Sequence, residues 1–317
     1  MLLQTLHALF SATPKKSCVT SAQVRSRPVS SHVVRMSARH VRCVPRLYRA
    51  HNRIDGAEHL GTATGITRMM GRGALILAFA WLVAGDAAGD EHGVEARVVA
   101  YKGVKLDVVA VDLRKARLRL LWQGPGGERL ATLHAARDQL KRKGETALAI
   151  TNAGIYNERT PSGLHVEEGR ELHAINLERH GGNFFLLPNG VFFVDERGAG
   201  ILESQSFARS SRSVKLATQS GPLLVQSGVI HPKFTADSKN ALVRSGVGVK
   251  SPHEIVLVLS EGAIRFYDLA VFFRDTLHCP DALYLDGTIS RLYAPAIGKT
   301  DDAGDFMGML AVTTPAP

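Results

Sequence analysis

ALYLDGTISRLYAP, residues 282–295, is the stretch on which the reading of this chain turns. Ala282, Leu283, Tyr284 and Leu285 make a short apolar run, the pattern of a buried strand. The run stops at Asp286-Gly287, with Thr288 and Ser290 following. A buried strand that delivers a carboxylate into a glycine turn holds that acid rigidly at a sheet edge. Asp and Gly also favour everyday turns, so this junction alone says little. Three others resemble it. AITNAGIYN (149–157) runs into Asn152-Ala153-Gly154, ATQSGPLLV (217–225) is interrupted by Gln219-Ser220-Gly221-Pro222, and VRSGVGV (243–249) sets Arg244 beside Ser245-Gly246. Glycine lets backbone approach a ligand closely and turns its N–H groups into donors. Four such junctions predict one pocket for a polar, anionic ligand.

Charge divides the chain. Residues 1–68 hold 11 Lys and Arg against 2 Asp and Glu; residues 90–317 hold 27 against 26. The overall charge of +10 is therefore mostly N-terminal, and gives the folded part no nucleic-acid surface. Between these parts, Met69-Met70 and Arg72 precede the apolar run ALILAFAWLV (74–83), with small residues Ala84, Gly85, Ala87, Ala88 and Gly89 after it. That is the order of a secretory signal peptide, and the run is too short to span a bilayer comfortably. The predicted organisation is a basic upstream segment (1–68), a signal peptide (69–89) and one domain (90–317). The upstream segment reads as untranslated or disordered, with translation starting at Met69 or Met70. The mature protein is then periplasmic or secreted, without a stable transmembrane anchor. Only Cys279 follows the signal, so no internal disulfide forms, and no Cys/His spacing suits zinc.

Within the domain, Val94–Tyr101, Leu106–Leu113 and Leu118–Trp122 read as strands. Leu130–Lys143 reads as an amphipathic helix that Gly144 stops. Thr146–Thr151 is a buried strand ending at Asn152. From 163 to 265 strands alternate with tight turns. Pro188-Asn189-Gly190 predicts a hairpin between Phe184–Leu187 and Val191–Val194, and Gln226-Ser227-Gly228 and Ser260-Glu261-Gly262 predict two more. Tyr267–Leu277 returns to helical spacing, and Phe306–Val312 is a closing strand. The fold class is α+β: a single domain of mixed, mostly antiparallel sheet with a few helices.

From about Val94 to Thr314 the chain resembles the phosphodiester glycosidase family, in its bacterial, exported branch. The matching pieces are NAGIY (152–156), PSGLHVEEG (161–169), GGNFFLLPNGVFF (181–193), ATQSGPLLV (217–225), RSGVGV (244–249) and ALYLDGTIS (282–290), in the family's order and spacing. Animal members carry a run of glycines after the Asp, and Asn-Gly-Gly where this chain has Asn152-Ala153-Gly154. The resemblance implies a hydrolase that breaks the glycosidic bond of a sugar phosphodiester, with an envelope glycoconjugate as partner. The alternative on the same fold is a non-catalytic periplasmic carbohydrate- or phosphate-binding protein.

The phosphate ester leaves as a weakly basic anion. Positive charge on the phosphate and a carboxylate near the anomeric carbon are what such a reaction needs. Asp286 is the candidate carboxylate, as nucleophile, base for water or metal ligand. Glu167 is the positional candidate for a second acid. Arg244 is the candidate phosphate clamp, because its planar fork suits paired oxygens. Backbone around Ser245-Gly246 and Ser220-Gly221 completes an anion cradle. Asn152, Gly154, Gln219, Gly287 and Ser290 are candidate substrate contacts. Asn183 reads as satisfying its own Gly-Gly-Asn turn, and Phe184-Phe185 and Phe192-Phe193 read as core. His165, His173, His180, His231, His253 and His278 are scattered without metal spacing, although His165 lies in a matching segment. No cofactor is fixed by the sequence, and a divalent metal stays open.

Overall fold

A computed structural model describes residues 88–301 and 303–315. The predicted upstream segment and the predicted signal peptide through residue 87 lie outside the described residues. In chain order the main elements are β1 (Val94–Tyr101), β2 (Val104–Asp112), β3 (Arg117–Leu121), α1 (Leu133–Arg142), β4 (Ala147–Asn152), β5 (His165–Glu167), β6 (Gly190–Asp195) and β7 (Gly198–Glu203). Then come α2 (Ser204–Arg209), β8 (Leu216–Ser220), β9 (Leu223–Gln226), β10 (Ser245–Ser251), β11 (Glu254–Ser260), α3 (Phe266–Val271), β12 (Asp281–Tyr284), β13 (Leu292–Ala294) and β14 (Met309–Thr313).

Three sheets share the core. The first runs Ala88–Glu91, β1, β2, β11, β10, β12, β9, Val229–Ile230; the second β7, β6, β8, β5, Arg170–His173; the third Lys299–Thr300, β13, β4, β14, β3. Every pairing among them is antiparallel. The described residues form three short α-helices beside these sheets, and the α+β class stands. Among the described residues no helix is long and apolar enough to cross a membrane.

Packing follows the sequence pattern. Thr132 caps α1 by accepting from Ala135 N at 3.0 Å, and the helix buries Leu133, Ala136 and Leu140 against Leu121, Ile150 and Met309. Each fully buried Leu is worth about 1.5–3 kcal/mol. α3 continues into a π-helical turn, Phe272–Thr276, that drives Phe272 and Phe273 into the core, as the predicted helix at 267–277 requires. β10 makes room for Phe273 with alternate glycines. A Cβ at Gly246 or Gly248 would sit 3.0 Å and 2.7 Å from its ring.

Two predicted hairpins are absent. Phe184–Leu187 is not a strand, because both edges of β6 are already taken, by β7 and β8. Asn189 is buried and donates to Phe184 O at 2.8 Å, closing a compact turn instead. Likewise Ser260-Glu261-Gly262 leads not back onto β11 but to Ile264–Arg265, which pairs with Ala241–Leu242. The edges of β11 are held by β2 and β10. The turn at 226–228 does form a hairpin, joining β9 to Val229–Ile230.

Candidate active site

The four polar–glycine junctions converge where the three sheets meet. β4 ends at Asn152, β8 ends at Ser220, β10 begins at Ser245, and the chain leaving β12 reaches Asp286. The β10–β12 ladder runs on past the strand end, with Leu285 N donating to Ser245 O at 3.0 Å and Ser245 N to Asp286 O at 2.8 Å. Ser245 Oγ accepts from Asn152 Nδ2 at 3.3 Å and from Asp286 N at 3.2 Å, and lies 2.9 Å from Ser290 Oγ. Asn152 Oδ1 accepts from Arg291 N at 3.3 Å. Ser220 Oγ accepts from Ile155 N at 3.2 Å and donates to Leu285 O at 2.8 Å. Asn152, Ser220, Ser245 and Ser290 are all buried. They form a polar scaffold that fixes the 285–291 loop. Both Ser220 bonds are to backbone groups.

Asp286 itself stands at the edge of a cleft of about 670 Å³. The cleft is walled by 155–162 on one side and 176–185 on the other, with Tyr156, Asn157, Glu178, His180, Asn183 and Phe185 among its lining residues. Asp286 Oδ1 accepts from Gly287 N at 2.7 Å, the one hydrogen bond to its carboxylate among the described residues. No ion-pair partner meets its carboxylate among the described residues. Burial therefore pushes its pKa up from 3.8 to about 6, and the Gly287 N–H offsets only part of the rise. Its charge reaches across the cleft: the Tyr156 phenol is raised by burial first, then by Asp286 and Asp305. A strand-end carboxylate with a perturbed pKa in a polar cleft is a candidate functional group.

Other expected contacts fall elsewhere. Arg244 is fully buried, with Nε donating to Ile264 O at 2.9 Å and Nη2 to Asn240 O and Oδ1 at 3.2 Å and 3.0 Å. Its guanidinium lies 3.5 Å from the centre of the Phe266 ring. A group so enclosed cannot fork onto a substrate phosphate, so the clamp role is corrected. Glu167 is also displaced. It meets His165 Nε2 at 2.9 Å and faces a separate groove with Gln139, Lys143 and Arg170. It does not share the cleft of Asp286. His165 is buried beneath Trp122, at 5.6 Å between ring centres.

Gly221 and Gly246 are buried by packing rather than offered to a ligand; a Cβ at Gly221 would sit 2.5 Å from Asn189. Gly154 is packed on β8, 2.4 Å from Gln219 O on the same measure. Gln219 is fully occupied: Oε1 accepts from Leu164 N and Asn176 N at 3.0 Å and 2.9 Å, while Nε2 donates to Asn176 O and Ser204 Oγ at 2.6 Å and 3.0 Å. It ties the cleft wall to β8. Gln219→Ala should therefore lower stability by about 2–4 kcal/mol, since several buried groups lose a partner. Turnover per folded molecule should change only a few-fold. Denaturant melts beside active-site-normalised rates check this, and a large loss of rate at unchanged stability would restore a ligand role.

Sequence reasoning gave Asn183 to its own turn and Phe185 to the core, but both line the cleft. Phe192 and Phe193 are core and Phe184 is buried at the cleft wall, while the less buried Phe185 lines the cleft beside it, edge-on to His180 with ring centres 4.9 Å apart. The doubled aromatic was the signal: one ring anchors the loop and leaves its neighbour outside. Among the described residues no three His, Cys, Asp or Glu gather as metal ligands.

The phosphodiester glycosidase family model matches residues 145–306, spanning Asn152 through the Asp286 loop. The chain belongs to the phosphodiester glycosidase family. It is 38% identical over 184 residues to the uncharacterized Escherichia coli K12 protein YigE, covering 58% of this chain and 72% of that one. Among solved structures, it matches the zebrafish N-acetylglucosamine-1-phosphodiester alpha-N-acetylglucosaminidase catalytic domain auto-inhibited by its pro-peptide, at 15% identity and a TM-score of 0.49. That match covers 69% of this chain and 81% of the zebrafish one. A hypothetical Synechocystis protein matches at 15% identity and a TM-score of 0.42, over 70% and 62% of the two chains.

Proposed function

We propose that this protein is an exported hydrolase that cleaves the bond between the anomeric carbon and the phosphate oxygen of a sugar phosphodiester. Asp286 is the reacting carboxylate. The observation that carries this reading is Asp286 itself: held by β12, charged above about pH 6, and open to a cleft of ligand size. The leaving phosphate ester needs little protonation, so one ionised carboxylate at the electron-poor anomeric carbon supplies the main chemical demand. Tyr156 and Phe185 offer rings to sugar faces, and Asn157 and Asn183 offer amides to hydroxyls. The signal-like order of residues 69–89 supports action outside the cytoplasm, on envelope glycoconjugates.

The test is a panel of sugar-1-phosphodiesters with matched neutral glycosides, with and without divalent metal. Turnover of the phosphodiesters supports the proposal; saturable binding without product would favour the binding-protein alternative. The pH profile is a second expectation. Since Asp286 must be ionised, kcat should be level at neutral pH and fall as pH drops through about 6. A profile that rises toward acid would contradict a carboxylate acting in its charged form.

A further inference from the structure

The loop that carries Asp286 has an exposed crown. At its start, Asp286 is fastened to Ser245 through both its N–H and its carbonyl. At its end, Leu292 of β13 pairs with Thr151 of β4. Between these anchors the chain turns tightly, with Ser290 N donating to Gly287 O at 2.8 Å. Thr288 and Ile289, at the tip, are exposed. A tight turn directs its carbonyls away from any strand ladder, so they need another donor or water.

Arg291 supplies that donor. Its Nη1 donates to Ser290 O at 2.9 Å and more loosely to Thr288 O and Ile289 O, each at 3.4 Å. Three successive carbonyls of the crown thus gather on one guanidinium nitrogen. Hydrogen bonds from a charged donor are the stronger kind. The backbone of Arg291 is itself pinned twice to β4. Its N–H donates to Asn152 Oδ1 at 3.3 Å, and its carbonyl accepts from Thr151 Oγ1 at 2.9 Å. The side chain therefore reaches back over the loop from a fixed root. Asp301 engages the other part of the guanidinium, with Oδ2 3.1 Å from Nε. Both side chains of this pair are exposed, at 42% and 44%, so the pair adds little to global stability. What it does is hold a flexible arginine in one orientation. The influence of Arg291 on Asp286 is mechanical, since burial and the Gly287 N–H are what set the Asp286 pKa.

We propose that Arg291 is a positioning residue for Asp286: its guanidinium clamps the crown of the reacting loop, and Asp301 aims the guanidinium. The positioning role rests on the reading of Asp286 as the reacting group; the clamp does not. Gly287 orients the carboxylate through its N–H and also accepts the bond from Ser290 that closes the turn. A crown released from Arg291 lets Gly287 shift, and the carboxylate shifts with it. A displacement of about 1 Å at a reacting group costs on the order of 10²-fold in rate, and a partial release costs less.

The experiment measures amide hydrogen exchange by NMR in the protein and in Arg291→Met, Arg291→Lys and Asp301→Asn. In Arg291→Met, exchange at Gly287 and Ser290 should speed up about 10-fold, the scale of one charge-assisted hydrogen bond. Val247 and Leu283, paired in the β10–β12 ladder, should keep their protection. Asp301→Asn should give a smaller rise at the same two amides. Arg291→Lys should fall between wild type and Arg291→Met, because lysine keeps the charge but loses the fork that reaches the carbonyls and Asp301 together. Unchanged exchange at Gly287 and Ser290 in Arg291→Met would overturn the clamp. So would faster exchange spread evenly through the ladder, which would mark a merely structural residue. Should Arg291→Met fail to fold, Asp301→Asn decides by the same two amides. On a phosphodiester that is turned over, Arg291→Met should lower kcat about 10-fold with KM nearly unchanged. A raised KM at unaltered kcat would make Arg291 a substrate contact and overturn the positioning role. The exchange readout needs no substrate, so a loosened loop in a protein that hydrolyses nothing would sink the proposed function and leave the clamp standing.

Discussion

Asp286→Asn should cut turnover of a sugar phosphodiester by two orders of magnitude or more while leaving the fold intact. Asn is nearly isosteric, and the Gly287 N–H can still find the side-chain oxygen. What disappears is the charge that the anomeric carbon requires. The same change should stabilise the protein at neutral pH. The folded-state pKa, about 6, lies above the ordinary 3.8, so the native state binds this proton more tightly than the unfolded chain. Asp286 therefore favours folding below about pH 4, and that contribution is lost as pH rises through 6. The shift corresponds to about 2–3 kcal/mol against the folded state at pH 7, lessened by the carboxylate's contact with water in the cleft. A Tm rise of a few degrees in the variant is the expected result at pH 7, vanishing near pH 4. Near-normal turnover would remove Asp286 from the reaction. A variant that fails to fold would mark it as a structural turn residue.

Gly287→Ala should produce the second large effect. The new methyl would sit 2.8 Å from the Tyr284 hydroxyl and 3.5 Å from Val243 O. Tyr284 cannot swing aside, because its ring is buried against Phe266. The Asp286 loop must move instead. A displacement of about 1 Å at a reacting group costs on the order of 10²-fold in rate. Stability should fall by about 1–3 kcal/mol, the usual cost of overpacking. Steady-state kinetics and melts on the same preparation check both, and an unaltered kcat would show that the loop tolerates the shift.

Much of the architecture was legible because strands announce themselves locally. β1 was predicted to the residue, and β3, β4 and β12 within a residue or so at each end, from apolar runs and their turn signals. The predicted hairpin at 184–194 was not there, because strand pairing depends on which edges are free, and β7 and β8 had claimed both edges of β6. At the site, residue type was legible but role was not. Asn152, Ser220, Ser245 and Ser290 do converge on Asp286, yet they spend their hydrogen bonds on each other and on backbone. Arg244 misled because a charged side chain beside a glycine suggests a ligand, whereas its neighbours Phe266, Tyr284 and Ile264 enclose it. Glu167 lies in a matching segment, but β5 turns it to another groove. No local pattern shows which way a wall faces, which is why Asn183 was read as a turn residue and Phe185 as core.

The most direct test of the central claim is the fate of water oxygen. The mature domain is incubated with a sugar-1-phosphodiester in oxygen-18-labelled water, and the products are weighed by mass spectrometry. Attack at the anomeric carbon with Asp286 as the reacting carboxylate predicts the label in the released sugar, an unlabelled phosphate monoester, and loss of both products in Asp286→Asn. Label in the phosphate would contradict the account, because it would mean attack at phosphorus rather than cleavage of the glycosidic bond.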